Sequence, residues 1–227
     1  NYGIVPVENS SEGVVKSTEY EMIHSKLSVS GEIDLAIHHC LLSKDTDLEM
    51  VRKVVAHAQA LGQCEYWLKN NMPWAELEPV ESNALAAKMA QEDASLAAIA
   101  SEQAALLYGL SVVESRIEDQ RDNTTKFWII GKETTQPSGE DKTAMIVSIP
   151  NKAGALIELL ACFSKRKISM TRIISRPAID TKWDYLFFID ILGHRSEKNV
   201  AEALIEVKEK AIFFKLLGSF PLSPLEA

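Results

Sequence analysis

The chain of 227 residues is long enough for two domains, and its 46% hydrophobic and 25% charged residues are ordinary for a soluble globular protein. With 24 basic against 32 acidic side chains the net charge is −8, and the absence of any Lys/Arg-rich run argues against nucleic acid or an anionic membrane surface as a partner. No stretch approaches the ~18 apolar residues of a membrane-spanning helix, and three separated cysteines without a CxxC pair (Cys40, Cys64, Cys162) suit reduced thiols in the cytoplasm.

Short apolar runs alternate with helical patterns through the first 133 residues. Strands are expected at 2–7, 35–42, 52–56, 76–80, 96–100, 110–114 and 126–131. Helices are expected at 59–70, where Leu61, Cys64, Trp67 and Leu68 share a face, at 82–92 and at 102–108. Such alternation implies an α/β layer architecture. If 35-LAIHHCLL-42 is a strand, His38 and His39 point to opposite faces and share no metal; the other histidines have no metal-ligand spacing either. Residues 134–142, TTQPSGEDK, have the composition of an exposed linker. Beyond it the order is strand 143–149, helix 154–166, strands 168–176 and 184–192, helix 197–210 and strand 212–220. This βαββαβ pattern is that of a ferredoxin-like domain. The chain starts at Asn1 without methionine, directly in a strand-like stretch, so a preceding segment is expected.

Ligands of open α/β sheets bind beyond the carboxyl ends of strands, where helix N-termini present N–H groups. The expected strands are followed there by 8-ENSSEG-13, 57-HAQAL-61, 81-ESNAL-85 and 101-SEQA-104, and 123-NTTK-126 leads into another strand. Together these small polar clusters suit a cleft for a small oxygenated anion. Singly each residue has a plainer reading. Ser82 and Ser101 are natural helix N-caps, His57 is a general base or a cap, and Glu8 is an acid or a turn residue. The threonines before Lys126 are β-branched strand formers, or else place a hydroxyl beside a cation. In the second domain Gly154 either admits a ligand to a helix N-terminus or simply turns the chain, and 175-SRP-177 either binds or is a surface turn. No GxGxxG or P-loop supports a nucleotide.

Residues 2-YGIVPVENSSEG-13, 56-AHAQALGQC-64, 81-ESNALAA-87, 99-IASEQAALLYGL-110 and 118-EDQRDNTTKF-127 resemble, in order, the catalytic domain of prephenate dehydratases, and 143–220, with 154-GAL-156 and 175-SRP-177, resembles the ACT regulatory domain that follows it in that family. The resemblance implies a two-lobed α/β catalytic domain of periplasmic-binding-protein-like layout, N-terminally truncated here, over 1–133. A linker at 134–142 and an ACT domain over 143–227 would follow, with lobe two at roughly 13–110. It also implies conversion of prephenate to phenylpyruvate with loss of water and CO2, without metal or cofactor, in phenylalanine synthesis. By the family's motif Thr125 is the catalytic threonine, and Glu8, Asn9, Ser10, His57, Ser82, Asn83, Asn123, Lys126 and Phe127 are the substrate-binding set. L-phenylalanine would act as allosteric effector at Ala153, Gly154, Ala155, Leu156, Ser169, Ser175, Arg176 and Pro177. Homo-oligomerisation, as dimer or tetramer, would run through the ACT domains. A chorismate mutase domain precedes the dehydratase in some members.

Three positions depart from the family pattern. Lys126 replaces an arginine and loses the bidentate fork; Ile174 replaces a glutamate and Ser169 an asparagine in the effector motif, which implies weaker effector binding. Two other readings remain for the residues themselves: a solute-binding module for a small anion, or an amino-acid-sensing dimer without activity.

Overall fold

The computed structural model describes residues 1–11, 13–120, 122–177 and 185–223; Glu12, Arg121 and Asp184 of the motifs above lie outside them. Strand β1 (Tyr2–Asn9) turns back as β2 (Gly13–Val14), and helix α1 (Lys16–His24) and strand β3 (Ser28–Ala36) follow. Neither α1 nor β3 is foreseen from the sequence, and the reason is local. The inward residues of α1 are Thr18, Glu19 and Met22, only one of them apolar, so no apolar period marks the helix. β3 buries Val29 beside Gly31 and Glu32. The expected strand 35–42 is corrected accordingly: β3 ends at Ala36, residues 37–39 are irregular, and β4 covers Cys40–Ser43.

After a 3₁₀ turn at Leu48–Met50 come β5 (Lys53–His57), α2 (Ala58–Gln63), α3 (Glu65–Asn71), β6 (Glu76–Val80), α4 (Asn83–Glu92), β7 (Leu96–Ala100), α5 (Glu102–Tyr108) and β8 (Ser111–Glu114). The single helix expected over 59–70 is two helices that meet at Cys64. The Asp119 carboxylate accepts the Tyr66 and Trp67 N–H groups at 3.0 and 3.1 Å, supplying the second helix with the acceptors its first turn lacks. Residues 36–124 form one compact unit, and lobe two is therefore shorter than 13–110. Its sheet runs β6-β5-β7-β4-β8, with β5 parallel to β6 and β7, and β4 antiparallel to β7 and β8. Strand alternation sends Val54 and Ala56 to a core with Leu61, Cys64 and Leu68, and Val55 to one with Ala86, Ala87 and Ala90 of α4.

The chain then forms β9 (Thr124–Gly131), β10 (Asp141–Ser148), α6 (Ala155–Ser164), β11 (Met170–Pro177), β12 (Tyr185–Leu192), α7 (Lys198–Lys210) and β13 (Phe213–Pro221). Residues 1–35 and 125–227 make the second compact unit. It holds two sheets, β2-β1-β9-β3 and β11-β12-β10-β13. Helices α6 and α7 cover one face of the latter through Met145, Val147, Ile189 and Ile191 against Leu159, Phe163, Val200 and Val207. The alternate residues Ala144, Ile146, Phe188, Leu217 and Phe220 share a core with Val7, Met22, Val29 and Trp128 of the first sheet and α1. The approach is close enough that a Cβ on Gly218 would lie 2.0 Å from the Val29 carbonyl oxygen, so only glycine fits there. None of the described helices is long and apolar enough to cross a membrane.

Candidate active site

β1 and β9 are antiparallel neighbours, and a bulge between Pro6 and Glu8 sets what they present. Up to Pro6 the register is regular; Val7 is then the extra residue, after which Glu8 stands opposite Lys126 and Asn9 opposite Thr125. Directly opposed residues share a face, so Asn9 and Thr125 lie together and Glu8 and Lys126 lie together on the other side. The Asn9 Nδ2–H donates to Thr125 Oγ1 at 2.8 Å, and Asn9 Oδ1 accepts the Ser11 N–H at 2.9 Å, which fixes the amide's orientation. A hydroxyl that accepts a hydrogen bond is a stronger donor through its own hydrogen. Phe127, half-buried, stands two residues along the same face, and Ser10 lies in the β1–β2 turn.

Lys126 stands on the opposite face. Its ammonium lies 2.5 Å from Asp34 Oδ1 and 3.7 Å from Glu32 Oε2, so it offers no unpaired cation to a carboxylate. Glu32 in turn accepts from Lys142 Nζ at 2.7 Å. Glu8 is turned the same way and lies 3.4 Å from Arg172 Nε.

The unit of residues 36–124 gathers a second set of expected residues. β5 and β6 are parallel with His57 opposite Val80, so the N-termini of α2 and α4 sit side by side at the carboxyl edge. Asn83 Oδ1 accepts the His57 N–H at 2.9 Å. Capping explains much of what these residues do here: His57 Nδ1 accepts from the Gln59 N–H, Ser82 Oγ from the Leu85 N–H and Ser101 Oγ from the Ala104 N–H. Asn123 is buried and donates to Gln63 Oε1 at 3.3 Å.

Sequence reasoning missed a buried cluster next to Asn123. Glu118 Oε1 lies 2.9 Å from His38 Nδ1, Glu118 Oε2 accepts the His39 N–H at 2.9 Å, and His39 Nε2 meets Gln63 Oε1 at 2.7 Å. Burial alone would raise the Glu118 carboxyl, but the His39 N–H and the His38 ring outweigh it and hold it below the ordinary carboxylate range. The His38 ring and the His39 backbone N–H meet one carboxylate, whereas the His39 ring reaches Gln63. The adjacent HH pair and the acid of 118-EDQ-120 were the only signal available. Among the described residues no group of three or more His, Cys, Asp or Glu is placed to hold a metal ion.

The expected effector residues divide between two faces of their sheet. Gly154, at φ +83°, is the left-handed residue before α6, and a Cβ there would meet nothing within 4 Å; backbone conformation, not close approach, requires glycine. Ala153 and Leu156 are exposed and Ala155 is buried at the start of α6. In β11 a bulge between Met170 and Arg172 changes the phase: Met170 opposes Ile191, and Arg172 opposes Asp190. Ser175, opposite Phe187, therefore lies on the helix-covered side, exposed, as is Ser169 before the strand and Pro177 at its end. Arg176 opposes Leu186 on the other side, where its Nε donates to Glu19 Oε2 at 2.9 Å. Ile174 shares that side and packs into the core with Trp128 and Phe188.

The described chain thus forms two compact α/β units, one of which holds both the sheet with the Thr–Asn pair and the βαββαβ sheet. Residues 1–135 match the prephenate dehydratase family and residues 143–209 the ACT domain, and the chain belongs to the prephenate dehydratase family. A bifunctional chorismate mutase/prephenate dehydratase of Pseudomonas aeruginosa is 44% identical over 226 residues, which are 99% of this chain and 62% of that relative. The solved prephenate dehydratase of Arthrobacter aurescens in complex with L-Phe matches with a TM-score of 0.87 and 30% identity, over 97% of this chain and 75% of that one. A solved structure described as a novel type of quorum quenching acylase matches with a TM-score of 0.88 and 27% identity, over 100% of this chain and 84% of that one.

Proposed function

We propose that this chain is the dehydratase and regulatory part of an enzyme that converts prephenate to phenylpyruvate, with Thr125 as the catalytic residue. The observation that carries the reading is the 2.8 Å hydrogen bond from Asn9 Nδ2 to Thr125 Oγ1, in which the hydroxyl oxygen is the acceptor. In the reaction the bond to the ring carboxylate breaks and releases CO2, its electron pair enters the ring, and the C–O bond to the ring hydroxyl breaks. The departing oxygen takes up a proton and leaves as water. A neutral threonine is a weak acid, so its contribution is a hydrogen bond that strengthens as negative charge grows on that oxygen. Asn9, Ser10, Phe127, His57, Ser82, Asn83 and Asn123 are proposed as substrate-binding residues. The dianion is then met by N–H groups and amides, since Lys126 is engaged elsewhere.

L-phenylalanine is the proposed effector, held near Gly154–Leu156, Ser169 and Ser175 on the helix-covered side of the ACT sheet. β11 is that sheet's edge strand and shows exposed Ile173, while α6 shows Leu156 and Ile157; a homo-oligomer that covers them, in the cytoplasm, completes the proposal. An acylase working through Thr125 would need a base beside its hydroxyl, and the partner found is an amide. The test is addition of prephenate to the purified protein, with phenylpyruvate followed directly. Phenylpyruvate formed by the parent and lost in Thr125→Ala supports the assignment; turnover that survives Thr125→Ala overturns it.

A further inference from the structure

Arg172 is the buried charge that the proposed reaction leaves unexplained. Its side chain is 7% exposed and enters the shared core of the second unit from the edge strand β11. The Nη2 group donates to Glu19 Oε1 at 2.5 Å, the Nε lies 3.4 Å from Glu8 Oε2, and the guanidinium carbon is 5.7 Å from the centre of the Trp128 ring. One planar cation thus touches α1, β1 and β9 together. Its contacts do not saturate it: Nε and Nη1 are buried and have no hydrogen-bond partner. A guanidinium buried in this state costs stability relative to an apolar side chain of similar volume, so packing alone does not account for it.

The residues it touches are the neighbours of the Thr–Asn pair. Glu8 precedes Asn9 in β1 and stands opposite Lys126, the residue after Thr125. Trp128 lies two residues beyond Lys126 on the same face. Consecutive strand residues share their backbone, which links Glu8 to the Asn9 that stands opposite Thr125. The neighbouring contacts stiffen the same link. Arg176 holds the other oxygen of Glu19, and Lys215 of β13 donates to the Met22, Ile23 and Ser25 carbonyls at the end of α1.

We propose that Arg172 is a positioning residue that ties the ACT sheet to the strand pair carrying Asn9 and Thr125, so that movement of β11 reaches the active hydroxyl through Glu8. The inference rests on the dehydratase reading for its kinetic arm only. In the full-length protein, Arg172→Met is expected to lower kcat for prephenate about tenfold, with KM within about twofold of the parent and partial restoration by Arg172→Lys. Hydrogen exchange is the arm that needs no turnover: peptides covering 1–11 and 124–131 should exchange faster in Arg172→Met, and those of α4 and α6 should not change. Unchanged exchange in 1–11 and 124–131, or acceleration spread evenly over the chain, overturns the proposal. If the parent does not convert prephenate, the dehydratase reading fails and the exchange comparison alone decides this one. If Arg172→Met does not fold, Arg172→Lys and Glu8→Gln take its place, and the same localised acceleration is required of them.

Discussion

The two faces of the β1–β9 pair use adjacent residues for opposite ends. One face carries Asn9 and Thr125, neutral groups joined by a side-chain hydrogen bond. The other carries Glu8 and Trp128, held by an ion pair and apolar packing with the ACT sheet, and Lys126, held by ion pairs with Asp34 and Glu32 of β3. A hydroxyl that must respond to charge appearing on a substrate needs to be oriented without being neutralised. The charged residues beside it are spent on holding the strands. Motif proximity therefore says less about chemistry than strand phase does.

Exchanging residues across this divide should separate rate from stability. The largest effect belongs to the neutral face. Thr125→Ala should lower kcat on the order of 10²-fold with KM little changed, because the lost hydrogen bond is strong only in the transition state. Thr124→Ala, pointing the other way, should cost far less; steady-state kinetics on both variants that found equal losses would remove the distinction.

The charged face should answer in stability and pH instead. Burial pushes the Asp190 carboxyl from 3.8 up to about 6, with Arg172, Lys142 and Lys126 pulling it back and Glu32 adding to the rise. The folded state therefore favours the neutral acid. That contribution is fully present below pH 3.8, is lost as the pH rises through about 6, and leaves a penalty on the order of 3 kcal/mol at neutrality. Thermal melts of Asp190→Asn against the parent should show a difference that grows in the variant's favour between pH 4 and 6. Lys126→Met should destabilise by about 2 kcal/mol, since Asp34 and part of Glu32 lose their partner, and leave KM for prephenate near the parent value. A large rise in KM without loss of stability would return Lys126 to the substrate. The smallest effect is expected at Gly154→Val, about 1 kcal/mol from forcing a branched residue to positive φ. Calorimetry with L-phenylalanine then reports whether the displaced backbone still binds it.

How far the sequence could be read follows from the same contrast. The βαββαβ order and most strands of residues 36–124 are legible because their apolar residues recur at period two or along one helix face. Helix α1 is not, since its inward face is Thr18, Glu19 and Met22, and among the described residues the charge of Glu19 is answered by Arg172 and Arg176, more than 150 residues away. At the site the motif identifies Thr125 and Asn9 but not their pairing. That depends on the bulge after Pro6, which carries no local signal, and the bulge between Met170 and Arg172 likewise sends Arg176 to the far side of its sheet. Lys126 and Arg176 were assigned as members of the family's motifs, which carry no information about the face on which each lies.

A double-mutant cycle on kcat between Asn9 and Thr125 tests the central claim most directly. If the Asn9 amide acts by orienting and polarising the Thr125 hydroxyl, Asn9→Ala should slow turnover about tenfold in the parent and scarcely at all once Thr125 is alanine. Losses that simply multiply in the double variant would mean that the two side chains work independently, and the paired site described here would be wrong.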